Sequence, residues 1–236
     1  MEIEFKSDNN SGQGLIEYGA ILALIAAVII LVLNLTGVSI RDLYCRVIAS
    51  LGVEGVCETA YCQDDFNDLN NWSLRYDRSW DVVDGKLCNT KNGETQIYNL
   101  CSQEVMPEHY AVNLNNVVLD EGWGYGIFYN LQGTDPVEGY AFQYDPGYGS
   151  GEFVVRRWAN GWEVNPPIAR KSVDMEWYDI EHDLRLEING SQVKAYLDGE
   201  FITEFEDDSF TGGSAGLRTW DSTRVCLDSF SIDPLY

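Results

Sequence analysis

The chain has 236 residues, 45% of them hydrophobic and 22% charged, with a formal net charge of −23. That length fits one sizeable domain plus an extra element, or two small domains. The charge argues against nucleic acid and against basic-patch binding to anionic lipid, because such a surface repels phosphates; it suits a self-repelling exposed surface and divalent cations.

The first twelve residues, MEIEFKSDNNSG, are polar and acidic. No charge then occurs from Tyr18 to Ile40, and Ala20 to Leu33 is wholly apolar. A helix of about 20 such residues crosses a hydrocarbon core. Beyond it, Ile40, Leu43, Tyr44, Val47, Ile48 and Leu51 keep helical spacing, with Arg41, Asp42 and Arg46 off the stripe. The pattern predicts one helix from about Gly14 to Leu51, roughly 55 Å long, stopped by Gly52. A secretory signal peptide fits less well, since the leader is not basic, no small-x-small site follows, and the helical register continues. A plain single-pass anchor explains the length but not why Glu17 stands five residues after Gly12.

The stretch "GQGLIEYGAILALIAAV" resembles the start of a type IVb (Flp or Tad-type) prepilin, although its leader is acidic where family leaders are basic. The resemblance implies a cleaved leader (1–12), with a prepilin peptidase cutting between Gly12 and Gln13. It makes 13–51 a transmembrane and polymerisation helix, with Glu17 and Tyr18 as assembly residues. Glu17 would neutralise the new amine of Gln13 inside an apolar helix bundle, where an unpaired charge is strongly unfavourable. The expected function is then a structural pilin subunit. It passes through the inner membrane, meets the pilus assembly machinery, and forms a helical homo-polymer at the cell surface, probing surfaces by adhesion.

A linker (52–61) leads to a region (62–236) of aromatic, glycine and aspartate residues. The segments "SWDVVDGKLCN", "QIYNLCS", "HYAVNLNNVVL", "GYGIFYNLQ", "GYAFQYD", "GEFVVRRWANGW", "HDLRLEINGSQVKAYLDGEFITEF", "SAGLRTW" and "TRVCLDSFSID" alternate as strands. Asp-Gly at 84–85 and 198–199 and Asn-Gly at 160–161 and 189–190 supply hairpin turns. The whole chain therefore reads as a long N-terminal α-helix plus an all-β sandwich. The six cysteines, at 45, 57, 62, 88, 101 and 226, stand beside only two histidines, and an even count in a tethered chain reads as disulfides.

"DDFND", "LNNWS", "DGKL" and the run from "LRLEINGSQVKAYLDGEF" to "CLDSFSI" resemble a concanavalin A-like (laminin-G-like) jelly roll. In such a roll the first and last strands are neighbours, which implies Cys62–Cys226. Cys88–Cys101 would bridge sequential strands, and Cys45–Cys57 would tie the helix end to the linker.

The fold hosts lectins, glycosidases and inert modules. Glycosidases need paired carboxylates facing the sugar. "EWYDIEHD" supplies Glu176, Asp179, Glu181 and Asp183, but in an order unlike the family's catalytic strand, and the expectation is no enzyme. Sugar binding has better material. Tyr125, Ile127, Tyr129 and Leu131 share one face and read as core, as do Tyr140, Phe142 and Tyr144. The opposite face offers Asn130, Gln143, Asp145, Arg156 and Trp158 as a candidate glycan surface, set against an ordinary solvated sheet. Calcium is a second candidate, at Asp64, Asp65 and Asp228, with Asp207 and Asp208 nearby in type; acidic surfaces are also commonly just solvated. Asn71 and Asn189 begin sequons. A monomeric membrane-anchored lectin-like protein is the alternative to the pilin, and an anchored glycosidase the third reading.

Overall fold

The computed structural model describes residues 60–75, 79–103 and 108–235. The predicted helix, Gly12, Gln13, Glu17, Tyr18, the linker to residue 59 and the Cys45–Cys57 pair lie outside the described residues. In chain order the strands are β1 (Cys62–Asp64), β2 (Trp72–Leu74), β3 (Trp80–Val83), β4 (Lys86–Asn89) and β5 (Thr95–Asn99). A 3₁₀ turn (Cys101–Gln103) precedes β6 (His109–Glu121), β7 (Tyr125–Thr134), β8 (Val137–Asp145), β9 (Glu152–Ala159), β10 (Trp162–Glu163) and β11 (Ala169–Ser172). Then follow β12 (Glu181–Asn189), β13 (Gln192–Leu197), β14 (Glu200–Glu206), β15 (Ser214–Thr219), β16 (Arg224–Leu227) and β17 (Ser229–Pro234).

They form two antiparallel sheets. The nine-stranded sheet runs β14-β13-β12-β6-β16-β4-β3, with β17 on β6 and β1 on β17; the eight-stranded sheet runs β10-β9-β8-β7-β15-β5-β2, with β11 on β9. The hairpins form where the turn residues predict them. Asp84–Gly85, Asn160–Gly161 and Asp198–Gly199 all have positive φ at both positions, the geometry that matches strand twist in a two-residue turn. The short strands β1, β2 and β11 are too brief for alternation to announce them.

The core lies between the sheets. Leu184, Leu186 and Ile188 of β12 and Val193 and Ala195 of β13 join Tyr125, Ile127, Tyr129, Tyr140, Phe142 and Tyr144 in one buried cluster. Stacked aromatic pairs cross β7, β8 and β9: Tyr125 on Tyr144, Tyr129 on Tyr140, and Phe142 on Phe153. Such pairs add to the area they bury because offset rings align their quadrupoles favourably.

Two departures from expectation have clear causes. Leu131 is not on the core face with Tyr129. The β7–β8 register shifts between Tyr129 and Gly133, and Asn130 takes a φ of 48°. The extra residue turns Leu131 to the other side, where it packs with Phe128, Ala141 and Trp158.

The disulfides also differ: they are Cys62–Cys101 and Cys88–Cys226, not Cys62–Cys226 and Cys88–Cys101. The first and last strands are neighbours as expected, but Cys62 faces Ile232 of β17, whereas Cys226 sits on β16 directly opposite Cys88 of β4. The chain changes sheets between β4 and β5, so Cys88 and Cys101 cannot close a hairpin. Cys62–Cys101 instead ties the nine-stranded sheet to the 3₁₀ turn that follows β5 of the other sheet.

Candidate functional site: the outer face of the eight-stranded sheet

Strand alternation sends every second residue of β5, β7, β8, β9 and β15 away from the core. One cross-strand row there reads Gln96, Arg218, Gly126, Gln143, and the next reads Tyr98, Gly216, Phe128, Ala141, Arg156. Small residues interleave with long ones. A Cβ on Gly126 would stand 3.1 Å from Cγ of Arg218, so the glycine lets the arginine lie along the sheet.

The long side chains form a buried ion network. Arg218 is only 4% exposed and Arg156 7%. Arg218 donates from Nη1 to Oε1 of Glu163 and from Nη2 to Oε2 of Glu94 at 2.8 Å. Arg156 Nε lies 3.1 Å from the other oxygen of Glu163 and donates to Oε1 of Gln143 at 2.9 Å, while its Nη1 donates to Asn165 at 3.0 Å. Gln143 in turn donates to Glu163 at 3.2 Å. Glu163 is thus held by two guanidiniums and an amide. The Arg218 guanidinium also lies over the rings of Trp158, at 4.5 Å, and Trp220, at 4.8 Å, where weak hydration and the ring quadrupole both favour it.

Above this floor is a cavity of about 880 Å³, lined by Gln96, Gln143, Asp145, Tyr148, Trp158 and Trp220 together with Trp123 and Trp162. That volume lies in the range of small-ligand sites, about 300–1,000 Å³. Trp162 is 78% exposed and Trp123 52%. The Asn160–Gly161 turn presents Trp162 at the head of β10. Trp123 packs on Gly147, where a Cβ would meet its ring at 2.2 Å, and its backbone N–H donates to Oγ1 of Thr223 at 3.1 Å. Tyr148 lies beneath the guanidiniums of Arg156, at 5.2 Å, and Arg170, at 4.8 Å; Arg170 grips Glu152 through two bonds of 2.6 and 2.7 Å. Burial pushes the Asp145 carboxyl up to about 6, against the pull of Arg156 and with a further push from Glu163.

Of the five sequence-predicted glycan residues, Gln143, Asp145, Arg156 and Trp158 meet in this cavity. Asn130 does not. At the bulge its side chain accepts the Tyr110 hydroxyl at 2.7 Å and donates to the Phe210 carbonyl at 3.2 Å, so it braces the sandwich. Sequence reasoning missed Arg218, Trp220, Glu163, Glu94 and Gln96. The outward parity of Arg218 in "SAGLRTW" was the available signal; the position of Glu163, two residues beyond the Asn160–Gly161 turn, is informative only through the pairing of β10 with β9.

The calcium candidates do not assemble. Asp64 is buried and accepts from the Phe66 N–H at 2.8 Å, Asn71 at 3.2 Å and the Trp72 indole at 2.9 Å. Asp65 accepts a long bond from Gln63, at 3.4 Å. Asp228 pairs with Lys86 at 2.7 Å and accepts from Asn116 at 2.9 Å. Among the described residues no group of three or more His, Cys, Asp or Glu side chains is placed to hold a metal ion. Asp207 accepts the hydroxyl of Tyr140, and Asp208 is exposed. The acids of "EWYDIEHD" do not form one array either. Asp179 has a φ of 60°, β12 shifts register between His182 and Leu184, and Asp183 accepts the N–H of Asn116. Among the described residues no helix is long and apolar enough to cross a membrane.

A family model described as a 3-keto-alpha-glucoside-1,2-lyase-like domain matches residues 62–228. No curated protein matches the chain. Several solved structures share the architecture. The carbohydrate binding module CBM66 from Bacillus subtilis superposes with a TM-score of 0.56 at 17% identity, over 67% of this chain and 94% of that one. The exoplasmic/lumenal domain of VIP36 in its Ca2+/Man3GlcNAc-bound form gives 0.60 at 12%, over 76% and 91%. A Bacillus subtilis protein of unknown function with a galectin-like fold gives 0.58 at 12%, over 75% and 96%. At these identities the likeness establishes the jelly-roll fold and nothing finer.

Proposed function

The chain belongs, through residues 62–228, to the 3-keto-alpha-glucoside-1,2-lyase-like domain family, and from that premise we propose that its β-sandwich is a carbohydrate-binding domain. One observation carries the reading: two exposed indoles, Trp123 and Trp162, border a cavity floored by buried, mutually hydrogen-bonded polar groups. Sugars present apolar C–H faces and polar hydroxyl edges. Indoles take the faces, and fixed amide, carboxylate and guanidinium groups take the edges. Structural neighbours that are a carbohydrate binding module and a mannoside-bound lumenal domain support the reading by analogy.

Binding is favoured over cleavage. Glu163 and Glu94 each commit carboxylate oxygens to arginine, so neither is free to turn toward a glycosidic oxygen. The test is a glycan array probed with the full chain in a detergent without a sugar headgroup, with and without calcium. The parent should bind one glycan class and Trp162→Ala should lose it. Binding that is indifferent to Trp162, Trp123 and Arg156 substitutions would place any sugar site elsewhere and defeat the proposal.

The N-terminal pattern of Gly12, Gln13, Glu17 and Tyr18 ahead of a long apolar run supports a second element: display of the domain on a surface filament of many copies. Mass spectrometry of the mature protein should then begin at Gln13, and Glu17→Ala should abolish filaments while leaving sugar binding intact. A surface protein that retains its first twelve residues would sink the filament reading and leave the anchored lectin.

A further inference from the structure

We propose that the cavity selects neutral oligosaccharides and rejects glycans bearing carboxylate or sulfate groups; this deepens the sugar-binding reading and rests on it. Three arginines line the cavity, and each is already engaged. Arg218 is held between Glu163 and Glu94, Arg156 is paired with Glu163, and Arg75 reaches Asp135 at 3.3 Å and the Thr134 carbonyl at 3.2 Å. A uronate or sulfate arriving at the floor finds guanidiniums that each already pair with a carboxylate, Arg218 through both of its Nη groups. To take one over, it would have to displace Glu163 or Glu94 from a buried guanidinium, and removing one partner leaves a charge unmatched.

The remaining carboxyls point the same way. Asp145 and Asp221 also line the cavity, and the chain as a whole carries a formal charge of −23. Both the local and the long-range field therefore oppose an anion. What the cavity offers without competition is the exposed indoles of Trp123 and Trp162, which suit the C–H faces of an uncharged sugar; the amides of Gln143 and Gln96 are already bonded within the charged network. Arginine here fixes acceptors and donors in place for uncharged ligands; it is not a receptor for acids.

The experiment titrates the full chain with neutral gluco- and manno-oligosaccharides and with oligogalacturonate and heparin fragments, at 50 and 500 mM salt. Neutral binding should change less than about twofold with salt, since screening acts on charge pairs, and acidic fragments should bind at least about tenfold more weakly. Glu163→Gln, nearly isosteric, should then raise affinity for oligogalacturonate by about fivefold or more by releasing two guanidiniums. Preferential, salt-sensitive binding of acidic fragments by the parent would overturn the selectivity while leaving sugar binding intact. An unchanged acidic affinity in a folded Glu163→Gln variant would overturn the mechanism. Failure of every glycan to bind would instead overturn the sugar-binding reading and this inference with it.

Discussion

Both sheets turn an outer face away from the core, and the two faces are built differently. On the nine-stranded sheet the outward residues are short or half-exposed. Asn113 donates to Ser231 at 3.0 Å and to Asp233 at 2.9 Å, Asn115 donates to Ser229 at 2.8 Å, and Arg185 bonds Glu187 at 3.0 Å and Asn113 at 2.7 Å. Water reaches all of these groups. On the eight-stranded sheet the outward residues are long and buried, among them Arg156, Arg218, Gln96, Gln143 and Trp158. The same chemical element, an arginine-carboxylate pair, therefore has two energetic meanings. The carboxylates are about equally exposed on the two faces, and the arginines differ: where water screens the guanidinium the pair contributes little, and where the guanidinium is buried, losing its partner strands a charge. Enclosure costs desolvation, and it is the enclosed face that carries the cavity and the exposed tryptophans.

The contrast can be broken most severely at Arg218. Arg218→Ala removes a buried guanidinium and leaves the half-buried carboxylates of Glu163 and Glu94 without their shared partner, and should destabilise the domain by about 2 kcal/mol, read as a lowered midpoint in urea. A loss equal to that of Arg185→Ala would erase the distinction between the faces. Trp162→Ala comes next and should separate function from stability. The residue is 78% exposed, so unfolding should barely move, while sugar affinity falls by about tenfold or more.

Asp145→Asn sharpens the picture through pH. The folded carboxyl titrates near 6, above the roughly 3.9 of an unfolded aspartate. The folded state therefore takes up the proton first as pH falls. Stability from this group is gained between about pH 6 and pH 4 and is absent at pH 7. The asparagine mimics the protonated form, so the variant should be more stable than the parent at pH 7 by about 1 kcal/mol, allowing for partial solvent contact. The difference should vanish near pH 4. A variant destabilised equally at both pH values would show that the carboxylate is supported and not strained. The smallest effect belongs to the water-facing sheet, where Arg185→Ala should cost about 0.5 kcal/mol or less.

Peptide mapping under non-reducing conditions adds an independent check on the frame that holds the two faces. It should recover Cys62–Cys101 and Cys88–Cys226 and no Cys88–Cys101 species.

Much of the candidate site was legible because β-strand alternation is strict. Counting by twos along "GYAFQYD" and "EFVVRRWA" separates Tyr140, Phe142 and Tyr144 from Gln143 and Asp145, and sets Arg156 and Trp158 on one face. The count failed at Asn130 because a bulge changes parity without changing composition. Asn130 tolerates a positive φ more readily than most residues, but "FYNLQG" contains no other mark of the extra residue. The disulfides failed for a different reason. Adjacency of first and last strands was correct, yet pairing depends on which residue of which strand faces the cysteine, and a one-strand difference separates β17 from β16.

The sequence by itself determined the all-β sandwich, the hairpin turns at Asp84–Gly85, Asn160–Gly161 and Asp198–Gly199, the core residues of β8 and β12 with Tyr125, Ile127 and Tyr129 of β7, and four residues of the cavity. These follow from local rules of period, turn φ and residue size, which act within a few positions of the chain. Only the tertiary structure decided that Arg218, Glu163 and Glu94 share one charge network, that Arg218 lies over Trp158 and Trp220, that buried Asp64 accepts from Phe66, Asn71 and Trp72, and that Cys62 joins Cys101. Glu94 and Arg218 are 124 positions apart and meet only because β15 pairs with β5 in one sheet. Strand order in a sandwich is set by how two whole faces bury each other, and no local pattern carries that information.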